Sequence, residues 1–225
     1  MPLSEQDLNF LKNALPFWDK LKKDEQEKIL KEVSVVTYKS GTILHKGSLD
    51  CTGVMVIKRG QLRVYLISDL GKEITLYRLF ERDICIFSAA CMLKNINFEV
   101  YIESEKETTV FLIPTAIYKN LMQSSLAVSD YSNQLISSRF SDVMWMIEQV
   151  LFMSFDRRLA LFLIEQSNIE NSDTLKITQE TIARNMGSAR EVVTRMIKYF
   201  QEEGLVKSFR GGIQITDRKG LEKLI

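Results

Sequence analysis

The chain has 225 residues, of which 45% are hydrophobic and 26% charged, with a formal net charge of +1. That length can bury a sizeable core and suits one large domain or two modest ones, and the overall charge does not by itself announce a nucleic-acid partner. Three cysteines, odd in number and without a CxxC pair, argue against a disulfide framework or a structural zinc site; a single histidine nearly excludes a metal-dependent β-roll enzyme.

Residues 1–12 contain Glu5, Asp7 and Lys12 and no continuous apolar core, so no secretory signal is expected. No apolar run reaches the ~18 residues that cross a bilayer, which leads to the expectation of a cytoplasmic protein with no membrane partner. Ser4 followed by Asp7 predicts a helix cap, and Leu8, Leu11 and Leu15 recur at helical spacing before Pro16 ends the run. A second short helix is predicted from Asp24. From Val33 to about Ile113 short strands take over, with glycines at their corners (Gly41, Gly47, Gly60). Residues 53–57 and 61–66, joined by Lys58-Arg59-Gly60, read as a hairpin, and 66–79, turning near Asp69-Leu70-Gly71, as another. Many short strands of this kind predict a rolled antiparallel barrel or jelly roll.

Helical sequence returns at Pro114-Thr115, and 126–152 is unusually long for one helix of a small domain. Ile136, Phe140, Val143, Ile147 and Val150 are spaced 4, 3, 4, 3, a heptad seam, and Leu135, Met144, Trp145, Met146 and Leu151 add a second apolar surface. One face can cover the roll while the other pairs with a second copy in a parallel homodimer.

After an amphipathic helix over 156–166 and a polar loop comes a stretch with a sharper signature, 177–197. Ala183 is small where two helices would cross, Gly187 sits where a tight turn needs positive φ, and Ile182, Met186, Val193, Met196 and Ile197 form an apolar seam. The opposite face carries Arg190, Glu191, Thr194 and Arg195, which can bond base edges or phosphates. Residues 205–209 and 213–215, around Arg210-Gly211-Gly212, predict a basic hairpin wing with Lys207 and Arg210 exposed. From Lys176 to Lys219 there are nine Lys/Arg against five Asp/Glu, so this end carries +4 and the rest of the chain about −3. The reading is a winged helix-turn-helix.

A β-roll, a long helix and a winged helix-turn-helix, in that order, resemble the Crp/Fnr family of bacterial transcription regulators. The resemblance spans essentially the whole chain and is most specific at Thr178-Gln179-Glu180-Thr181-Ile182-Ala183, Ser188-Ala189-Arg190-Glu191-Val192-Val193-Thr194-Arg195 and Gly204-Leu205-Val206. It implies an α+β fold: an N-terminal antiparallel β-roll (a jelly-roll-like double-stranded β-helix) over 1–125, a dimerisation helix over 126–152 and a winged helix-turn-helix over 153–225. It also implies a non-enzymatic homodimer on palindromic double-stranded DNA, with RNA polymerase as a further partner. Arg190, Glu191, Thr194 and Arg195 would lie on the base-reading face, with Thr178, Gln179, Ser188, Lys207 and Arg210 completing the DNA site.

The effector is where the chain departs from that family. Its cyclic-nucleotide binders carry a Phe-Gly-Glu-Leu cassette followed by Arg-Ser or Arg-Ala, whereas residues 83–93 here read Asp-Ile-Cys-Ile-Phe-Ser-Ala-Ala-Cys-Met-Leu, and no Arg follows through Ile102. A cyclic-AMP response is therefore not expected. No cysteine precedes Cys51, which argues against the family's iron–sulfur chemistry. Cys85, Phe87, Ser88, Ala89 and Cys91 occupy the place of the ligand site, leaving an apolar or small organic effector, or a thiol- or haem-based redox or gas sensor. Apolar neighbours favour a packing role for the cysteines, and a lone His45 is weak support for haem. The cofactor thus stays unassigned. A ligand-binding protein that does not bind DNA is the remaining alternative, disfavoured by the intact cationic face.

Overall fold

The computed structural model describes residues 3–47, 51–92 and 99–225, with side-chain surroundings for all of these except Ala90, Cys91 and Met92. The expected contributions of Cys91 and of residues 93–98 therefore lie outside the described set. The chain forms two compact units, Met1–Leu66 with Leu76–Val143, and Ile67–Thr75 with Met144–Ile225. No helix among the described residues is long and apolar enough to cross a membrane.

The first unit opens with α1 (Glu5–Ala14), capped as expected: Ser4 Oγ accepts the Asp7 N–H at 3.1 Å. A 3-10 turn (Trp18–Lys20) and α2 (Lys23–Glu32) follow. Among the described residues the strands are β1 (Ser34–Tyr38), β2 (Ile43–Lys46), β3 (Val54–Arg59), β4 (Leu62–Ile67), β5 (Glu73–Leu79), β6 (Ile84–Cys85), β7 (Tyr101–Ser104) and β8 (Thr108–Ile113). They make two four-stranded sheets, ordered β1-β8-β3-β6 and β2-β7-β4-β5. A 3-10 stretch at Phe87–Met92, α3 (Thr115–Ser124) and the start of α4 (Leu126–Phe152) complete the unit.

One expected hairpin does not form. Strands β3 and β4 are consecutive but lie in different sheets, β3 between β8 and β6 and β4 between β7 and β5. Residues 54–57 and 62–65 are all buried, the burial pattern of central strands rather than of a hairpin with one wet face. Gly60 turns this corner at φ +98°, and a Cβ there would lie 2.6 Å from the Glu107 carbonyl oxygen and 2.7 Å from Thr108 Cα. Only glycine fits. The hairpin expected over 66–79 does form, as β4–β5.

The core of this unit joins Val54, Val56, Ile84, Phe111 and Ile113 of the first sheet, and Ile86 just after β6, to Leu11, Ile29, Tyr118, Leu121 and Val128 of the helices and Phe17 of the turn that follows α1. Val128, Ser132 and Leu135 are the buried residues of α4, so its N-terminal turns are anchored here by a stripe spaced four and three. The second sheet holds charge instead. Arg63 on β4 is fully buried, bonds Glu103 of β7 at 2.9 Å and lies 4.2 Å above the Tyr65 ring. Sequence reasoning missed this pair, because an Arg in an alternating strand reads as a solvent-facing residue.

Candidate nucleic-acid interface

The second unit is built on α5 (Phe155–Glu170), whose Leu159, Ala160, Phe162, Leu163 and Ile164 are buried against the remaining elements. The helix runs four residues past Gln166 and stops at Asn171, which takes the left-handed conformation (φ +48°). Strand β9 (Thr174–Leu175) follows. It pairs with β11 (Gly212–Ile215), which pairs with β10 (Val206–Phe209), so the wing is a three-stranded sheet rather than a simple hairpin. A two-residue strand inside a polar segment leaves no periodicity to detect.

Helix α6 (Gln179–Met186) starts at Thr178, whose hydroxyl oxygen accepts the Thr181 N–H at 3.1 Å. It ends at Gly187, φ +65°, whose N–H bonds the Ala183 carbonyl. Ile67–Thr75 packs into this unit: Ile74 bridges Met186 and fills the space beside Gly187, where an added Cβ would lie 3.3 Å away. Thr75 Oγ1 donates to Asn185 Oδ1 at 2.6 Å. From α5, Arg158 donates to the Met186 carbonyl at 2.9 Å, a cation at the negative end of α6.

Helix α7 (Arg190–Glu202) buries Val193, Ile197 and Phe200, spaced four and three, against Ile182, Ala183 and Met186 of α6. Its other side presents Arg190, Glu191, Thr194 and Arg195, all exposed. These four come together as the sequence pattern requires. Ala189 precedes the helix and supplies no side-chain cap, while its carbonyl accepts the Val192 N–H at 3.1 Å. Arg190 Nε stands 4.0 Å from Glu180 Oε2 with both side chains mostly in solvent, a weak pair that phosphate can displace. Thr178, exposed, and Gln179 and Ser188, half-buried, flank this face.

Lys207 and Arg210 are exposed on the wing. Gln201 of α7 accepts the Ser208 N–H at 2.8 Å and ties the wing to the recognition helix. Gly212 allows β11 to pass close to Phe209 and the Leu175 carbonyl, where a Cβ would collide. Short α8 (Arg218–Glu222) is fastened through Arg218, whose guanidinium reaches Ser167 Oγ at 2.9 Å, Asp173 Oδ1 at 3.3 Å and Glu222 Oε1 at 3.2 Å.

Of the residues expected to bind an effector, Cys85, Phe87, Ser88 and Ala89 sit in the first unit and are sealed. Cys85, Ser88 and Ala89 are at most 1% exposed, and Phe87 is buried. Ser88 Oγ lies 2.6 Å from the Gly53 carbonyl and 2.9 Å from that of Cys85, and burial pushes the Cys85 thiol above its usual range. His45 is buried on β2 opposite Ile102 of β7. Cys51, at an exposed position, is disulfide-bonded, against the expectation of free cysteines, and its Sγ lies 3.2 Å from Thr115 Oγ1. Among the described residues no group of three or more His, Cys, Asp or Glu is placed to hold a metal ion. Of the apolar seam, Ile136 is partly buried against the first unit's core, whereas Phe140 (66%), Ile147 (37%) and Val150 (41%) are exposed and Val143 is intermediate.

Residues 157–224 match the model of the Crp-like helix-turn-helix domain. The fold is that of a Crp/Fnr-family transcriptional regulator from Eubacterium rectale, at TM-score 0.92 and 51% identity over 94% of this chain and 98% of that one. The chain belongs to the Crp/Fnr family. It is a transcriptional regulator with a helix-turn-helix DNA-binding domain. It is also 26% identical to the anaerobic regulatory protein of Haemophilus influenzae, over 99% of this chain and 81% of that protein. With the transcriptional regulator SdrP of Thermus thermophilus it shares 33% identity over 40% of this chain, spanning about half (48%) of SdrP.

Proposed function

We propose that this Crp/Fnr regulator binds a palindromic promoter site as a homodimer, reading bases with Arg190, Glu191, Thr194 and Arg195 of α7. Thr178, Gln179, Ser188, Lys207 and Arg210 position it on the backbone. The carrying observation is the two-sidedness of α7, with Val193, Ile197 and Phe200 buried and four adjacent hydrogen-bonding side chains exposed. A second copy supplies the palindrome's other half-site. The exposed Phe140, Met144, Ile147, Val150 and Leu151 of α4 are the surface that copy covers, since so much apolar area on one helix is costly in water. Bound at a promoter, the dimer would present itself to RNA polymerase, and its location would be the cytoplasm.

The first unit is proposed as the sensor of a small-molecule signal other than cyclic AMP, with Cys85, Phe87, Ser88, Ala89 and Cys91 as the candidate region. Gel-shift titration on a palindromic site, with and without cyclic AMP and over a range of salt, tests this reading. Saturable binding by dimers that weakens steeply with salt and ignores cyclic AMP is the expected result. Binding of a single chain per site, or a cyclic-AMP-dependent gain, would refute it.

One observation favours a second reading of the signal. Cys51 is both exposed and disulfide-bonded, so two equivalents of a thiol reductant can open that bond to two thiols while becoming oxidised themselves. If redox state is the signal, dithiothreitol changes the DNA affinity of the native protein and Cys51→Ser removes the difference. Equal affinity in both states leaves the small-molecule reading alone.

A further inference from the structure

The side chain of Thr194 stands on the base-reading face of α7, yet its hydroxyl is already engaged within the protein. Thr194 Oγ1 donates to Gln179 Oε1 at 2.7 Å and also lies 2.9 Å from the Arg190 carbonyl one turn back. Gln179 is the first residue of α6, directly after its cap Thr178. The bond therefore crosses from the recognition helix to the start of the helix beneath it, across 15 residues of sequence. With its oxygen taken by Thr194, the Gln179 amide is oriented so that both Nε2 hydrogens point away from Thr194.

Those hydrogens have a defined setting. Gln179 lines a cavity of about 400 Å³ between the start of α6, Arg190 and the wing. On the wing side, Ser208 Oγ is buried with no hydrogen-bond partner. Glu180 and Arg190 form the rim, in their weak 4.0 Å pairing. A cleft with an aimed amide, a hydroxyl and a displaceable guanidinium suits a phosphodiester, whose oxygens are acceptors only.

We infer that Thr194 is a positioning residue, not a base reader: its hydroxyl holds the Gln179 amide so that Nε2 donates to a DNA backbone phosphate at the mouth of the wing cavity. This rests on the DNA-binding reading and assigns one member of its proposed base-reading face a different task. In the free protein Thr194 is exposed and Gln179 half-buried, and the bond between them lies at the surface, so water competes and the bond adds little to stability. Once DNA excludes that water, an amide already aimed avoids the entropy of being fixed at the moment of binding.

The test uses the full-length protein and four variants: Thr194→Val, which keeps the shape and loses the hydroxyl, Thr194→Ser, which keeps the hydroxyl, Gln179→Ala, and the Thr194→Val/Gln179→Ala double substitution. Two readouts are taken, the Kd for a duplex of arbitrary sequence and the base preference selected from a randomised duplex library. Thr194→Val and Gln179→Ala should each weaken binding about three- to tenfold on every sequence, the range of one lost hydrogen bond. The double variant should be no weaker than either single one, Thr194→Ser should bind as the unsubstituted protein does, and the selected bases should not change. A shift in selected base at one position of each half-site with Thr194→Val, or additive losses in the double variant, overturns the assignment and returns Thr194 to base reading. Unchanged Kd in Thr194→Val also overturns it. Failure of the unsubstituted protein to bind either probe is the separate outcome that removes the DNA-binding reading and this inference with it.

Discussion

The first unit encloses a charged pair, whereas the recognition helix of the second leaves its charges in solvent. In the roll, Arg63 and Glu103 are enclosed and paired, and Ser88 spends its hydroxyl on backbone carbonyls. On α7, Arg190, Glu191 and Arg195 project from a ridge whose far side is fully apolar. Buried polar groups satisfied by neighbours fix one conformation, and removing one damages folding. Exposed groups on a rigid helix contribute almost nothing to folding and are left for a partner. The contrast predicts that substitutions in the first unit lower stability with base preference intact, and that those on α7 do the reverse.

The largest effect is expected inside the roll. Arg63→Ala leaves the Glu103 carboxylate buried with its guanidinium removed and should cost about 3–5 kcal/mol, read as a fall in the urea midpoint. A loss below about 1 kcal/mol would mean the pair is wet and the contrast overdrawn. Next is Ile147→Asp, which places a charge on the exposed seam of α4. It should give a folded monomer by sedimentation, with affinity for a palindrome down about a hundredfold or more. A variant that still sediments as a dimer would move the interface elsewhere.

Arg195→Ala should cost about 1–3 kcal/mol on a specific site and relax one base pair of each half-site, with an unchanged melting temperature. Retained base preference would show that the recognition face is misplaced. Back in the first unit, Ser88→Ala leaves the Gly53 and Cys85 carbonyls short of a donor. It should lower stability by about 1 kcal/mol without altering the DNA sequence selected; a change in regulation instead would mark the region as a working sensor.

The smallest effect concerns pH. The Lys58 ammonium and the Ser4 hydroxyl hold the Asp7 carboxyl below its ordinary value of 3.8. A carboxylate with a depressed folded value stabilises above that ordinary value, and the contribution is lost as pH falls through the folded one. Asp7→Asn should therefore be less stable than the native chain by a few tenths of a kcal/mol at neutral pH, the difference vanishing in strong acid. A constant offset down to pH 2 would assign the effect to packing.

How much of this was legible in sequence follows from the physics of each element. Helices α6 and α7 were readable because a helix-turn-helix is local: Gly187 turns, and Ile182, Met186, Val193 and Ile197 set the buried side within some twenty residues. The 126–152 helix was readable for the same reason, its period being its own. The corner at Gly60 was not, because whether β3 pairs with β4 depends on β6, β7 and β8, which arrive later in the chain and take the available edges. Neither was the Arg63–Glu103 pair, whose members are 40 residues apart and meet only once β4 lies beside β7. Sequence by itself determined the helices, the turn glycines and the face turned to solvent, since periodicity and φ preference are properties of neighbouring residues. Tertiary structure alone decided which strands share a sheet, which charges are enclosed, and that the Thr194 hydroxyl is held by Gln179, since each depends on groups that only packing brings within bonding distance.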